Sequence, residues 1–185
     1  MLFAVGDFLC VPYRPFAGPL SKNDTMFEAC LAHPERFTLP MTRGEIRATV
    51  ASVVTNPENA VWEVWRGSAF VGILLLDRIV PGLDARWHFV FFDDELLGKL
   101  ALLKEFARRC FADWHFERLT FEVPEHLAVL TSFARRKLGF RYEGERPGLR
   151  KQAALGSRRE RAYFDGTTWR DVVVMRLLKE DACAD

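Results

Sequence analysis

The chain has 185 residues, and its 26 Lys and Arg face 25 Asp and Glu for a formal net charge of +1, so there is no bulk attraction to nucleic acid or anionic lipid. With 49% of residues hydrophobic and 16 Phe among them, the composition excludes disorder. The length suits a single domain, 1–185, with its own core.

No apolar run approaches the roughly 18–20 residues of a membrane span, so no membrane contact is expected. The opening MLFAVGDFLCVPYRP has neither the basic start nor the small-residue cleavage site of a secretory signal. Cys10, Cys30, Cys110 and Cys183 are dispersed, with no CxxC pair. His33, His88, His115 and His126 lack metal-ligand spacing, and no metal site is expected. Such cysteine usage fits a reducing compartment, which predicts a cytoplasmic protein.

Residues 1–40 form a proline-rich arm holding Pro12, Pro15, Pro19, Pro34 and Pro40. A short helix is expected from Asn23 to His33, with Ser21, Asn23 and Asp24 as candidate N-caps. Thr42 and Glu45 have capping-box spacing before a helix whose apolar face is Ile46, Val50, Val53 and Val54; Asn56-Pro57 ends it. Val61 to Arg66 and Ala69 to Leu76 alternate about Arg66-Gly67-Ser68, the pattern of a hairpin. Asp77 to Asp84, with Pro81-Gly82, reads as a loop, and Asp77 as turn chemistry. Arg86 to Phe92 is an aromatic-rich strand. Leu96 to Trp114 is a long helix with Leu100, Leu103, Phe106, Ala107 and Cys110 at helical spacing. A strand from Arg118 to Val123 stops at Pro124. Leu127 to Leu138 is an amphipathic helix ending on Gly139, and Phe140 to Glu143 opens another strand. Arg146 to Arg161 carries six cations and reads as a loop before the final strand.

The run FEVPEHLAVLTSFARRKLGF, residues 121–140, with RYEG after it, resembles the last strand–helix–strand unit of the GNAT family of N-acyltransferases. DGTTWRDVVVMRLLKED is similar to the closing strand of the branch that acetylates protein N-termini. PGLDARWHFVFFDDELLGK resembles phage-encoded GNAT-like proteins. The resemblance spans roughly Val61 to Lys179, within a core of 41–181. It implies an α/β (α+β) fold: a mixed, mostly antiparallel sheet with a central parallel pair and helices on both faces.

That resemblance also implies acetyl-CoA as cofactor. In the family a strand pairs with the pantetheine arm, and the next turn gives backbone N–H groups and a helix N-terminus to the pyrophosphate. The corresponding positions are Phe91, Phe92, Leu96, Leu97, Gly98 and Lys99. Asp93, Asp94 and Glu95 stand where the family pattern is basic and glycine-rich, which implies weak binding and a turn capped by its own acids. Arg135 occupies the position of the Tyr that in many members protonates the leaving thiolate. Some members of the N-terminal-acetylating branch lack that Tyr too. The catalytic candidates are His88 and Glu122, with Glu63 on the hairpin as a further runner-up base. An imidazole suits proton transfer at neutral pH, and the resemblance places His88 facing the cofactor groove. Glu63 and Glu122 also read as ordinary solvent-facing strand carboxylates.

Two readings follow. One is acyl-CoA-dependent transfer to an amine acceptor, a protein N-terminus or small primary amine. The other is a non-catalytic GNAT-fold binding or assembly module. It would engage a protein partner through the N-terminal arm or loop 146–161, in a virion or on a host factor. Nucleic-acid binding through that loop has only Tyr163 as a nearby stacking aromatic, and a solvated hairpin is the better reading.

Overall fold

The structure is a computed structural model that describes residues 1–14, 20–37, 41–95, 98–143, 157–164 and 168–182. Among these, the strands are β1 (Phe3–Val5), β2 (Phe8–Pro12), β3 (Ala60–Arg66), β4 (Ala69–Val80), β5 (Asp84–Phe91), β6 (Arg118–Pro124), β7 (Arg141–Tyr142), β8 (Arg158–Phe164) and β9 (Trp169–Leu178). The α-helices are α1 (Leu20–Ala32), α2 (Arg43–Thr55), α3 (Lys99–Asp113), α4 (Ala128–Lys137) and α5 (Lys179–Ala182). The hydrogen-bonded strand order is β1-β2-β3-β4-β5-β6-β9-β7, with β8 also on β9. It is a mixed sheet, antiparallel except where β5 and β6 run parallel.

The chain forms two compact units, one of residues 1–79 with 88–102, the other of 80–87 with 103–185. In the first, β1, β2, β3 and β4 form an antiparallel meander. The β1–β2 hairpin lies inside the proline-rich arm, where no strand was expected. Thr42 and Glu45 form the reciprocal capping box that their spacing predicts, so α2 starts where two orphan N–H groups are satisfied. Ile46, Val50 and Val54 of α2 bury against Met26, Cys30 and Leu31 of α1 and Val61 of β3. Each fully buried Ile or Val contributes on the order of 2 kcal/mol.

In the second unit, Asp84, Ala85 and Arg86 of β5 register with Arg118, Leu119 and Thr120 of β6. The expected parallel pair is present, and this three-residue ladder stops although both strands run on. β9 pairs along all of β6 and takes β7 and β8 along its other edge. Trp87 stacks with Phe106 of α3 and Phe140, whose ring also meets Phe121 of β6. Gly139, at φ +81°, supplies the left-handed residue that ends α4.

Three expectations need correction. The segment Asp77 to Asp84 is not a loop: β4 continues to Val80 and β5 begins at Asp84, leaving only Pro81 to Leu83 as the turn. A β-branched run, Ile79-Val80, outweighs the Pro-Gly signal up to its last residue. The stretch Arg146 to Arg161 is not all loop, because Arg158 and Arg159 pair with Val173 and Val172 of β9; residues 144–156 lie outside the described residues. Glu63 does not face solvent, being 2% exposed.

Candidate functional site

Extending β4 places Asp77 in mid-strand, beside β5 rather than in a turn. His88 Nε2 lies 3.2 Å from Asp77 Oδ1. The carboxylate can only accept, so the proton of this bond sits on Nε2, and in the neutral ring that leaves the lone pair on Nδ1. Both side chains are half-buried, His88 at 34% exposure and Asp77 at 19%. A histidine held by a carboxylate through one ring nitrogen, with the other bearing the lone pair, is the arrangement of an oriented general base. Sequence reading found His88 but not its partner.

The turn after β5 is built from charges. Lys99 opens α3, is 4% exposed, and donates to the Asp93 carbonyl oxygen at 2.9 Å and to the Asp93 carboxylate. Its ammonium also lies 4.8 Å from the centre of the Phe91 ring. Arg66 of β3 bonds Glu95 and approaches Asp93 Oδ2 at 3.3 Å, an ion-pair separation without hydrogen-bond geometry. Arg36 bonds Asp94. That bond holds the Asp94 carboxyl below the usual carboxylate range and the Arg36 guanidinium above its own; Glu95 does the same to Arg66. The three acids are therefore matched by Arg36, Arg66 and Lys99. Gly98, at φ +79°, has a backbone that L side chains avoid, and a Cβ there would stand 2.8 Å from Phe8 Cε2. Phe92 packs in the α1–α2 core, and Leu96 and Leu97 lie outside the described residues.

Glu122 of β6 is 15% exposed and accepts from Arg86 at 2.8 Å and from Arg159 at 2.6 Å. Each carboxylate oxygen is bonded to a guanidinium. Arg158 reaches Glu125 at 2.7 Å and Asp171 at 2.6 Å. These cations hold β6, β8 and β9 side chains together, which a solvated loop would not do. Arg135, at the position of the family's Tyr, lies over the Tyr142 ring at 4.3 Å from its centre. Among the described residues no cluster of His, Cys, Asp or Glu could hold a metal ion. No described helix is long and apolar enough to cross a membrane.

No protein-family model and no curated protein matches the sequence. Solved structures do match over nearly the whole chain. A Chromobacterium violaceum protein described as a probable acetyltransferase of the GNAT family superposes with a TM-score of 0.74 at 16% identity, covering 99% of this chain and 88% of that one. The spermidine N-acetyltransferase of Vibrio cholerae, solved with CoA and spermine, superposes with a TM-score of 0.68 at 13% identity, covering 96% of this chain and 99% of that one. The fold is the GNAT fold. Within it, the parallel pair β5–β6, the α3 crossover and the α4–β7 unit fall where the KLGF and VFFDD segments predicted them. Identities this low carry the GNAT fold and no site residue, so the site rests on the geometry above.

Proposed function

We propose that this protein transfers an acyl group from acyl-CoA to a primary amine. The His88–Asp77 pair, 3.2 Å apart on adjacent strands of a GNAT fold, carries the reading. His88 Nδ1 takes the proton from the attacking amine, and Asp77 holds the ring in the competent tautomer and stabilises the imidazolium that results. Glu122, with both oxygens bonded to guanidinium groups, serves instead to anchor Arg86 and Arg159.

Bound acyl-CoA supplies the activated thioester. The cations Arg36, Arg66 and Lys99 offer forks and an ammonium that suit phosphate oxygens, and they already cancel the acids of the turn. An anion there competes with Asp94 and Glu95 for the same guanidinium groups, so the residues fit a cofactor held weakly. Phe91 and Lys99 lie at this turn, consistent with their assignment to cofactor binding.

The test combines binding and turnover. Acetyl-CoA should raise the melting temperature of the purified chain, since a ligand of the native state stabilises it. Mass spectrometry should then detect an acetylated amine, with His88→Ala lowering the rate by about 10²–10⁴-fold while acetyl-CoA still binds. Absence of any acetyl-CoA shift would instead favour a non-catalytic binding module.

A further inference from the structure

The second unit carries a guanidinium that neither the fold nor the proposed chemistry uses. Arg176 of β9 registers with Thr120 of β6 on one side and with Arg141 of β7 on the other. Directly opposed residues of antiparallel strands share a sheet face, with Cβ atoms about 4.5–5.5 Å apart. Arg176 is half-buried, and its Nε is shut off from solvent without a hydrogen-bond partner. Among the described residues no carboxylate pairs with it. A buried donor of a charged group left unmatched is destabilising. So is a like charge directly opposite, which Arg141 supplies. An apolar residue at this place in β9 would avoid both costs.

The acids of this face are already committed. Side chains alternate along a strand, so Arg118, Thr120 and Glu122 share one face of β6. The parallel register sets Asp84 and Arg86 of β5 beside Arg118 and Thr120. Asp84 accepts from Arg118 at 2.6 Å and from Thr120 Oγ1 at 3.0 Å. Glu122 holds Arg86 and Arg159, and Asp181 bonds Arg141. Glu143 lies 3.4 Å from Arg118. Each of these carboxylates has a guanidinium, and Arg176 is left over. The opposite face of the same strands, through Leu119, Phe121, Met175 and Leu177, is buried core and leaves no room for a charge.

The opposed pair lacks an anion. The buried Nε fixes the inner edge of the Arg176 guanidinium in the sheet, and its outer nitrogens are left for a ligand. Arg141 is 52% exposed, so the pair is reached from solvent on that side. A guanidinium presents its N–H donors as a planar fork that matches carboxylate and phosphate oxygens two at a time. An oxyanion held by both forks turns the repulsion between the arginines into two attractions. A halide, with a single centre, makes no such paired contact, and a metal cation is repelled. We propose that Arg176 and Arg141 form a binding site for a compact oxyanion, the phosphate or carboxylate group of a small ligand. The site shares no residue with Arg36, Arg66 and Lys99, the cations proposed for acyl-CoA, and does not rest on acyl transfer.

The probes are inorganic phosphate and acetate, each titrated against sodium chloride at constant ionic strength. One or both should raise the melting temperature of the unmodified protein in a saturable way, since a ligand of the native state stabilises it. The stronger of the two identifies the group as phosphoryl or carboxyl. Without ligand, Arg176→Gln should be at least as stable as the parent, because it removes an unmatched charge. It should weaken the apparent affinity for the effective probe at least about tenfold. Should Arg176→Gln fail to fold, Arg141→Gln removes the other fork and makes the same test. A rise that the substitution leaves intact is the general salting effect of the anion and overturns the proposal, as does a parent that answers to neither probe. Acetyl-CoA should shift the parent and Arg176→Gln alike; a shift lost with Arg176 also overturns the proposal, by making the guanidinium part of the cofactor's site. A parent that ignores acetyl-CoA yet shows an Arg176-dependent phosphate or acetate shift would remove the acyltransferase reading and leave the oxyanion site standing.

Discussion

Asp77 Oδ1 and His88 Nε2, 3.2 Å apart, join two strands between which the Pro-Gly signal predicts a long loop. The bond fixes which imidazole nitrogen carries the lone pair. Asp77→Asn keeps the shape but lets the amide present either a donor or an acceptor, so the competent tautomer is no longer enforced. We expect acetyl transfer to fall on the order of 10²-fold, less than for His88→Ala, with affinity for acetyl-CoA unchanged. Initial rates of CoA release at saturating amine check this. Unaltered turnover in Asp77→Asn would reduce the pair to a structural contact.

Gly72 of β4 lies under the end of β5. A Cβ there would stand 2.6 Å from the Val90 carbonyl oxygen and 2.7 Å from Phe91 Cδ1. The first neighbour is backbone and cannot swing aside. Gly72→Ala should therefore destabilise by about 1–3 kcal/mol through overpacking. It should also displace the Phe91 ring from the Lys99 ammonium. Chemical denaturation measures the first effect, and a melting temperature equal to the parent's would show that the strands relax freely.

The fold was legible where local chemistry and tertiary need agree. The Thr42–Glu45 box, the Gly139 cap and the Leu119–Val123 strand were all found because each is specified within a few residues. The site was legible only in part. His88 stands out as a titratable group in an aromatic strand, but Asp77 is eleven residues away and meets it only through the β4–β5 pairing. Arg36 and Arg66 answer the acids of the turn from distant positions, and nothing in the DDE triplet points to them. Glu63 sits in an alternating strand whose other face, through Trp62 and Val64, is equally buried, so alternation gave the wrong side for solvent.

The capping box gives a pH dependence with a defined sign. The Thr42 backbone N–H, and then its hydroxyl, donate to the Glu45 carboxylate and hold its pKa below the usual carboxylate value. A depressed folded-state pKa contributes stability that is present above the unfolded pKa and is lost as pH falls through the folded one. Thr42→Ala should cost about 1 kcal/mol at neutral pH. Glu45→Ala should lower the melting temperature at neutral pH, and its gap from the parent should close in acid below the carboxylate range. Melting curves across that range check it; a gap independent of pH would mean the charge plays no part.

The last prediction concerns the turn before α3. Asp94 and Glu95 are the outer acids, bonded to Arg36 and Arg66. Both carboxylates are well exposed, so as ion pairs they stabilise the fold little. For an incoming phosphate their effect is larger, because they repel it and also occupy the two guanidinium forks it would use. Asp94→Asn with Glu95→Gln should leave the melting temperature of the free protein nearly unchanged and tighten acetyl-CoA binding about tenfold. The gain should shrink in high salt, where exposed charges are screened. Adding Arg36→Gln and Arg66→Gln should cancel it, since the freed cations are its source. Calorimetric titration at two ionic strengths reads all three effects. An affinity that the double substitution leaves unchanged would mean that acyl-CoA, if bound, does not use these cations.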